Sequence, residues 1–449
     1  MRRELHPRKR FSGQITVPGD KSIAHRAALL SILSAGSLAV KNYPRSEDCL
    51  SSLGAAEALG VKVGSSGQQL ELTPPEKLRL PDDGTVNCGN SATTARLLSG
   101  IIAGSSLTVT LTGDDSLSPR PMDRVIEPLT SMGAELFAED GHLPVRIVGR
   151  RLMPMEYQLP VASAQVKSAL LLAGLASSCS VTVREPVITR DHTERMIQFL
   201  KGDITVREVK PVMVPDPVDP RKKRMHSPES FKMEITLASG ARLTGGLIDI
   251  PGDFSTAAYF MAGAAIGHGT VTIENVGLNP TRVEFLEYLK AAGCRVDITD
   301  RRTESDEPRG TITVARDKGP LKSRKISGEI TARLIDEIPA LAVVAAFAEG
   351  TTVVRDAGEL RIKESNRLES IAENLRLMGI KCGVLEDGLV IEGGKEPSGA
   401  DFKSFGDHRI AMAFSVASCF LVGPSSIDDA SVVNISCPEF YEILGRVTA

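Results

Sequence analysis

Residues 17–26 place two cations and a hydroxyl at the predicted start of a helix. The stretch reads VPGDKSIAHR and follows a short predicted strand. A helix N-terminus already carries unpaired N–H groups and the positive end of the helix dipole. Lys21, Ser22 and Arg26 add further donors there, which is the chemistry needed to bind a strongly anionic group. A solvated helix start with a stray basic pair explains this stretch about equally well when it is taken alone.

A second candidate anion-binding residue is Arg120, in the motif LTGDDSLSPRPMDR. The motif ends a predicted strand and opens an amphipathic helix, and Pro121 fits the first turn of that helix. A guanidinium just ahead of a helix can hold a phosphate or a carboxylate through paired hydrogen bonds. An ordinary surface arginine explains the motif equally well.

Two further motifs could supply the acid and base groups of a reaction. In ELRIKESNRLE, the spacing of Lys363, Glu364 and Arg367 predicts that they share one face of a helix. A structural row of ion pairs is the more frequent explanation of such a helix, and a catalytic acid between anion-binding cations is the alternative. In IDEIP, Asp336 and Glu337 fall within a predicted apolar helix, where a carboxylate is costly unless it is paired or functional.

These residues belong to a unit that recurs six times along the chain. Each copy has a polar opening, an apolar helix, a Gly or Ser break, a β-branched strand and a second, more charged helix. The first helix is apolar nearly all round, which predicts that it is buried, whereas the second is amphipathic and should cover an outer face. The copies begin at Gly19, Gly89, Val161, Gly252, Ile330 and Gly406.

The polar openings of the six buried helices could bring the candidate side chains together. If three parallel helices in each half of the chain end on one surface, two such surfaces form a cleft with a positive field. Helix capping explains the Ser, Asp and Asn residues at these openings. It does not explain Lys21, Arg26 or Arg409, because a cation at a helix N-terminus opposes the dipole. The other candidates at these openings are Asn90, Ser163, Gln165, Asp253, Asp336 and His408.

The composition limits the class of protein. A chain of 449 residues exceeds one ordinary hydrophobic core, which predicts two domains. A net charge of -3, 4% aromatic residues and the absence of Trp argue against a nucleic-acid partner. The seven cysteines form no C-x-x-C pair and the histidines lack metal spacing, so we expect a cytoplasmic protein without a metal. No apolar run reaches the roughly 18 residues of a membrane span, and we expect no membrane partner.

Two long stretches are rich in charge and lie late in each half of the chain. They cover residues 216–230 and residues 300–310. Their composition predicts solvated loops.

The motifs together, in this order, resemble the 5-enolpyruvylshikimate-3-phosphate synthase family. The pairs and spacings in KSIAHR, ASAQVKSA and TRDHTE look more like the second class of that family than the first. The resemblance runs from Gly19 to about Phe414 and therefore covers nearly the whole chain. The matching stretches are PGDKSIAHR, GNSATTAR, RPM after LTGD, ASAQVKSALLLAGL, TRDHTE, PGDFST, IDEIPALAV, RIKESNRL and DHRIAMAF.

The resemblance implies a fold, a reaction and a set of partners. The fold is a two-domain, inside-out α/β barrel with six β/α repeats, three per domain, and buried parallel helices. The chain would cross between domains twice, giving a first domain of residues 20–248 and a second of residues 1–19 plus 249–449. The reaction transfers the enolpyruvyl group of phosphoenolpyruvate to the 5-hydroxyl of shikimate 3-phosphate, on the route to chorismate and the aromatic amino acids. No cofactor is implied, and we expect a monomer.

The resemblance also implies roles for individual residues. Asp336 would take the hydroxyl proton, Glu364 would supply the methyl proton, and Lys21 would reach both substrates. The residues expected to bind shikimate 3-phosphate are Lys21, Ser22, Arg26, Ser163, Gln165, Arg190, Asp336 and Lys363. The residues expected to bind phosphoenolpyruvate are Lys21, Ala92, Arg120, Gln165, Arg367 and Arg409.

The sequence departs from the family pattern at a few positions. Many members carry Gly where Ala92 stands, which predicts weak inhibition by glyphosate because that inhibitor is longer than phosphoenolpyruvate and should meet the added methyl. Ile435 stands where first-class members often have a lysine, so one phosphate contact is missing or replaced. Ala164 replaces a frequent serine, and Glu359 replaces a frequent asparagine.

Two alternative functions remain open at this point. UDP-N-acetylglucosamine enolpyruvyl transferase shares the fold, but it opens with Lys-Asn rather than Lys21-Ser22, and it usually carries a cysteine where the motif around Arg120 has none. A non-catalytic, anion-binding repeat module would not need Asp336 and Glu364 in its cleft. A P-loop phosphotransferase is excluded because the GDKS stretch lacks the required glycines.

Overall fold

The computed structural model describes residues 1–449 except 9, 68, 211, 216–222, 227, 228, 317 and 318, and it describes residues 212–215 and 223–226 by their backbone. Its helices are α1 (Lys21–Ser31), α2 (Glu47–Ala58), α3 (Ala92–Ala103), α4 (Asp123–Ser131), α5 (Ala164–Ser177), α6 (His192–Phe199), α7 (Phe254–Ile266), α8 (Glu284–Ala292), α9 (Glu329–Leu334), α10 (Ile338–Ala346), α11 (Arg367–Leu377), α12 (His408–Ser418) and α13 (Phe440–Thr448).

The strands of the first half of the chain are β1 (Arg3–Leu5), β2 (Gly13–Thr16), β3 (Leu38–Lys41), β4 (Lys62–Ser66), β5 (Gln69–Thr73), β6 (Thr85–Asn87), β7 (Thr108–Thr112), β8 (Glu135–Glu139), β9 (His142–Val148), β10 (Met155–Gln158), β11 (Val181–Glu185), β12 (Ile204–Glu208), β13 (Val212–Pro215), β14 (Lys223–His226), β15 (Met233–Leu237) and β16 (Gly246–Asp249). Those of the second half are β17 (Thr270–Gly277), β18 (Arg295–Glu304), β19 (Glu307–Ala315), β20 (Leu321–Lys322), β21 (Lys325–Ile326), β22 (Ala348–Val354), β23 (Lys381–Leu385), β24 (Gly388–Gly393), β25 (Asp401–Phe402) and β26 (Ser425–Ile427).

Six helices, α1, α3, α5, α7, α10 and α12, are the buried helices that the repeat predicted. Nearly every side chain of α7 and α10 is buried, as expected for helices that are apolar all round. Five of the six begin at a residue whose side chain accepts a hydrogen bond from a first-turn N–H group. These capping residues are Asp20, Ser91, Ser163, Asp253 and Asp407.

The sheets repeat one design, with a parallel pair and an antiparallel hairpin in most of them. In the first half the sheets have the orders β16-β3-β5-β4, β6-β7-β9-β8 and β10-β11-β15-β12. In the second half the orders are β18-β19-β17-β2, β1-β26-β25 and β20-β22-β24-β23, with β21 also paired to β22. Strand β2 comes from the start of the chain, yet it pairs in parallel with β17 of the second half, with Ile15 opposite Ile273.

Two separate hydrophobic clusters fill the structure. One contains buried side chains between Ile23 and Ile250, including those of α1, α3 and α5. The other contains Leu5 to Val17 together with Phe254 to Val447, including those of α7, α10 and α12. Each cluster therefore has three helices inside and sheets around them, which confirms the inside-out α/β architecture with two domains.

The chain passes between the two clusters through paired segments. The N–H of Asp20 donates to Pro251 O at 2.7 Å, and the N–H of Asp253 donates to Pro18 O at 2.8 Å. A Cβ at Gly19 would overlap the carbonyl oxygen of Asn42, so only glycine fits this passage. The two crossings therefore lie directly against each other.

The prediction of a solvated loop over residues 300–310 is wrong. These residues belong to the hairpin of β18 and β19, and Glu307 and Arg309 are buried in it. Arg309 Nη1 lies 2.8 Å from Asp249 Oδ1, a residue distant in sequence, and this pairing compensates the burial of its charge. The other charged stretch, residues 216–230, falls largely outside the described residues.

Other sequence expectations can be compared with the described part of the chain. All seven cysteines are free and buried. None of the helices described combines the length and the apolar character that a membrane crossing requires.

Candidate active site

A cavity of about 320 Å³ lies where the six buried helices begin. Each helix contributes a residue at or next to its N-terminus, so the two groups of helices face each other across the cavity. Basic side chains outnumber acidic ones in the wall. Unpaired N–H groups, helix dipoles and fixed cations thus converge, an arrangement that favours multiply charged anions. The contributed residues are Lys21, Ala92, Gln165, Asp253, Asp336 and Arg409.

Lys21, the first residue of α1, is held by carboxylates from two other helices. Its Nζ forms an ion pair with Asp48 of α2, and its backbone N–H donates to Asp253 Oδ2 at 3.1 Å. Asp253 caps α7 by accepting from the Thr256 N–H at 2.7 Å. Burial disfavours the charged form of Asp253, but Arg282 and these two N–H groups outweigh it and lower its pKa. Lys21 is therefore fixed at the boundary between the two domains.

Arg120 lies in the segment before α4, and its donors are already oriented. Its guanidinium donates to Ser116 O at 3.1 Å, to Ser116 Oγ at 3.0 Å and to Asn90 Oδ1 at 3.3 Å. Its Nη1 also lies 3.3 Å from Glu364 Oε1, which belongs to the other domain. A planar guanidinium held in this way loses little further freedom when it binds a phosphate or a carboxylate.

Asp336 is surrounded by three arginines. Arg190 forms an ion pair with it, while Arg367 Nη1 and Arg409 Nη2 lie 3.6 Å and 3.7 Å from its carboxylate oxygens. The prediction that Asp336 falls within a helix is wrong, since it lies in the turn between α9 and α10. Pro339 explains the difference, because a proline fits the first turn of a helix and prevents the helix from continuing through it.

Lys363, Glu364 and Arg367 do not share a helix face, so that prediction is also wrong. Residues Gly358–Ile362 form a 3-10 helix, the extended backbone at Lys363 ends it, and α11 begins at Arg367. Glu364 still contacts Arg367 and Arg120. Burial opposes the ionisation of Glu364, but these two arginines hold its pKa well below the usual value. Burial, followed by the charge of Arg367, lowers the pKa of Lys363 to about 7.

Ser22 and Arg190 line the cavity together, whereas Arg26 lies behind its wall. Arg190 Nη1 donates to Ser22 Oγ at 3.5 Å, and burial followed by a neighbouring arginine lowers the pKa of Arg190 to about 9. Arg26 donates to Thr193 Oγ1 at 2.6 Å, to Ser168 Oγ at 2.9 Å and to Ser22 O at 2.9 Å. The structure therefore places Arg26 where it supports the backbone of Ser22.

Ser163 and Gln165 enter the cavity from the start of α5. The Ser163 hydroxyl accepts from the Val166 N–H at 3.3 Å and so caps the helix. Gln165 Oε1 accepts from Arg96 Nη1 at 2.6 Å, and its Nε2 donates to Thr93 Oγ1 at 3.0 Å. These bonds tie the start of α5 to that of α3.

Two further helix openings hold Asn90 and His408. Asn90 Nδ2 donates to Asp114 Oδ2 at 3.0 Å, which leaves its Oδ1 for Arg120. His408 is buried, and among the described residues its two ring nitrogens have no hydrogen-bond partner. Burial, followed by the charge of Lys21, holds the pKa of His408 well below its usual value, so the imidazole is neutral.

The sequence comparison decides the family. The family model described as EPSP synthase (3-phosphoshikimate 1-carboxyvinyltransferase) matches residues 5–444. This chain belongs to the EPSP synthase family. A relative named 3-phosphoshikimate 1-carboxyvinyltransferase from Desulforamulus reducens is 41% identical over 450 residues, covering 99% of this chain and 98% of the relative. Another of the same name, from Anaeromyxobacter sp. (strain K), is 43% identical and covers 97% of this chain and 94% of itself.

Solved structures of EPSP synthases have the same fold. A structure of the enzyme from Acinetobacter baumannii superposes with a TM-score of 0.82 at 37% identity, covering 100% of this chain and 98% of that chain. The family resemblance and the fold class expected from the sequence are therefore confirmed. In the described part of the chain, no group of three or more His, Cys, Asp or Glu residues could hold a metal ion.

Several residues that line the cavity were not predicted from the sequence, and Asp48 and Arg282 are two of them. Asp48 gave no signal, because an acid in the first turn of an amphipathic helix is ordinary. Arg282 donates to Ser255 Oγ at 2.8 Å and lies 3.3 Å from Asp20 Oδ2. The repeat did contain a signal for Arg282, since it precedes the second helix of its unit as Arg120 does in an earlier unit.

The departures from the family pattern have distinct structural positions. Ala92 and Ala164 are the first residues of α3 and α5, and both line the cavity. Glu359 Oε2 lies 3.0 Å from Arg124 Nη1, so it forms an ion pair between the domains. Ile435 is buried and does not line the cavity.

Proposed function

We propose that this chain transfers the enolpyruvyl group of phosphoenolpyruvate to the 5-hydroxyl of shikimate 3-phosphate and releases phosphate. The printed name of its relatives, 3-phosphoshikimate 1-carboxyvinyltransferase, corresponds to this reaction. The observation that carries the proposal for this chain is the cavity in which six helix N-termini meet around a surplus of cations. Both substrates carry phosphate and carboxylate groups, whose charge is complementary to such a cavity.

The basic side chains suggest two adjoining subsites. Arg120 and Arg367 both contact Glu364, and with Arg409 they would clamp the phosphate and carboxylate of phosphoenolpyruvate. Arg190 contacts both Ser22 and Asp336, which supports a neighbouring subsite for the second substrate. In this proposal Lys21, Ala92 and Gln165 complete the phosphoenolpyruvate subsite. Arg26 supports Ser22 from behind the wall, and the shikimate 3-phosphate subsite is formed by Lys21, Ser22, Ser163, Gln165, Arg190, Asp336 and Lys363.

The reaction needs two positioned acid–base groups. In the addition step, C2 of phosphoenolpyruvate bonds to the 5-oxygen of the acceptor while C3 gains a proton, which gives a tetrahedral ketal. Asp336 accepts the proton of the 5-hydroxyl, and Glu364 donates the proton to C3. In the elimination step C3 returns a proton to the Glu364 carboxylate, the C2–C3 double bond forms again, and the C2–O bond to the phosphate breaks so that phosphate leaves. Each positioned acid or base typically contributes about 10² to 10⁴ in rate.

Substrate binding would prepare Glu364 to act as an acid. The positive charge of Arg367 and Arg120 holds the pKa of Glu364 low despite its burial. Phosphate and carboxylate groups bound to the same arginines would cancel much of that charge. The pKa of Glu364 then rises toward the range in which its carboxyl group holds a proton to donate. The arginines thus bind the substrate and set the protonation of the acid.

The same proposal includes the domain boundaries and the form in which the chain acts. We place the first domain at residues 20–248 and the second at residues 1–19 plus 249–449, because the paired crossing segments lie at these boundaries and the two hydrophobic clusters divide within a few residues of them. Ion pairs such as Arg120 with Glu364 join the two sides of the cavity, and closure on the substrates would exclude water. One chain supplies every group used above, so we propose that it acts as a monomer without a cofactor. The free, buried cysteines support a cytoplasmic location in this proposal.

A phosphate-release assay tests the proposed function. The purified chain is supplied with phosphoenolpyruvate and either shikimate 3-phosphate or UDP-N-acetylglucosamine as acceptor. We expect release only with shikimate 3-phosphate, and release only with the other acceptor would replace the proposal with UDP-N-acetylglucosamine enolpyruvyl transfer. A double variant, Asp336→Asn with Glu364→Gln, should lose turnover. Binding of both substrates without turnover by the unaltered chain would indicate a non-catalytic, anion-binding module.

A further inference from the structure

His25 begins a chain of buried hydrogen bonds that crosses three helices. Its Nδ1 lies 2.8 Å from Ser52 Oγ on α2, and Ser52 Oγ lies 2.6 Å from Thr94 Oγ1 on α3. Thr94 Oγ1 donates in turn to Ser91 Oγ at 2.8 Å, and Ser91 is the capping residue of α3. All four side chains are buried, so water does not compete for these bonds.

The direction of the chain follows from the number of protons available. A serine or threonine hydroxyl has a single proton to donate. Thr94 gives its proton to Ser91, so it can only accept from Ser52. Ser52 then has no proton left for His25, and His25 Nδ1 must carry the hydrogen and donate it. Burial lowers the pKa of His25 to about 3, so the imidazole is neutral, and with its hydrogen on Nδ1 the Nε2 atom is bare.

The two ends of this chain lie at two parts of the same cavity. His25 is one helical turn after Lys21, and both line the cavity together with Asp48. At the other end, Ser91 accepts from the Thr94 N–H and so fixes the first turn of α3, where Ala92 also lines the cavity. This chain of hydrogen bonds thus connects the part of the cavity wall that contains Lys21 to the start of α3.

The first turn of α3 is suited to bind an anion, and its position matters for Arg120 as well. Backbone N–H groups at a helix start point toward an anion only if the turn is held in place. Asn90, next to the capping residue, accepts from Arg120 Nη2 at 3.3 Å. A displaced turn would therefore move two parts of the phosphoenolpyruvate subsite together.

We propose that His25 is a positioning residue for phosphoenolpyruvate, which it serves by donating from Nδ1 into the chain that fixes the first turn of α3. This inference rests on the proposed function. His25 touches neither substrate in this role and transfers no proton. Its loss should therefore weaken the use of phosphoenolpyruvate and leave the use of shikimate 3-phosphate unchanged.

Two substitutions of His25 separate its two nitrogens. In His25→Asn the amide nitrogen takes the place of Nδ1 and can still donate to Ser52, whereas in His25→Gln the amide reaches the place of Nε2 and the donor to Ser52 is lost. We expect His25→Asn to keep KM for phosphoenolpyruvate within about threefold of the wild type. We expect His25→Gln to raise it about tenfold, the size of one net hydrogen bond. KM for shikimate 3-phosphate should change less than about twofold in both variants.

Thr94→Val provides a second test that leaves His25 intact. It breaks the same chain at its middle with little change in shape, and it should raise KM for phosphoenolpyruvate as His25→Gln does. Calorimetry shows whether His25→Gln is folded. If it is not, Thr94→Val alone decides the question.

The inference is overturned by any of three results in an active wild-type background. The first is an unchanged KM for phosphoenolpyruvate in Thr94→Val and in folded His25→Gln. The second is an equal rise in both KM values, which indicates a general structural role. The third is a tenfold rise in KM for phosphoenolpyruvate in His25→Asn. This variant keeps a donor to Ser52, so the rise could not then be caused by loss of the donor. A wild-type chain without turnover contradicts the proposed function instead, so the two failures are distinct.

Discussion

Lys363 should make the use of shikimate 3-phosphate fall steeply above neutral pH. Burial, followed by the charge of Arg367, lowers the pKa of Lys363 to about 7. A lysine carries its charge below its pKa and loses the charge as the pH rises through that value. The charged fraction therefore falls from about one half at pH 7 to about 3% at pH 8.5, roughly fifteenfold. If the proposed contact needs the charge, kcat/KM for shikimate 3-phosphate falls by a similar factor, since this ratio reports ionisations of the free enzyme.

Lys363→Arg is the matched control, because a guanidinium stays charged throughout this range. The ratio of kcat/KM in the wild type to that in Lys363→Arg cancels the ionisation of the substrates. We expect this ratio, measured by phosphate release with phosphoenolpyruvate held well below its KM so that the free enzyme is the reference state, to fall about fifteenfold between pH 7 and pH 8.5. A ratio that stays constant refutes the reasoning, since Lys363 would then not bind the substrate through a charge that titrates near pH 7.

Three other contacts lead to measurable expectations. Lys167→Met leaves the carboxylates of Glu185 and Glu194, 3.0 Å and 2.6 Å from the lysine Nζ, buried without a cation. Urea unfolding should show that the free energy of unfolding falls by about 3–5 kcal/mol, and changing both glutamates to Gln as well should restore most of it. An unaltered urea midpoint in Lys167→Met would contradict this expectation. Ala92→Gly should lower the inhibition constant of glyphosate by about tenfold or more, because one methyl group in a pocket discriminates by that much; equal constants in the two enzymes would exclude the steric explanation. Glu359→Asn should change the free energy of unfolding by less than about 1 kcal/mol, since its ion pair is partly exposed, and a larger loss in the same assay would mean that the pair is effectively buried.

The buried helices were predictable because their signal is local. A helix such as α7 is apolar on every face, so it can only lie inside a domain. The capping residues Ser163 and Asp253 were predictable for the same reason, since a cap acts on the N–H groups of its own helix. Six repetitions of this local pattern predicted six buried helices, whereas their two-domain, inside-out arrangement was implied by the family resemblance.

The environments of individual side chains were not predictable in the same way. Asp336 and Lys363 were both assigned to helices. In the structure Asp336 lies in the turn before α10, and Lys363 lies just after the end of a 3-10 helix. Residues 300–310 were assigned to a loop from their charge, yet Arg309 is buried because Asp249 neutralises it. Local composition contains no information about such a distant partner.

The sequence by itself determined which six helices are buried, close to where five of them begin and which residue types stand at those beginnings, because these properties depend on neighbours within a few residues. Only the tertiary structure decided which charges meet. It joined Arg120 to Glu364 and Arg190 to Asp336 across the cavity, and it placed Arg26 behind the wall rather than in it. The physical reason is that electrostatic pairing acts through space, and the distances that determine it exist only once the two domains are packed.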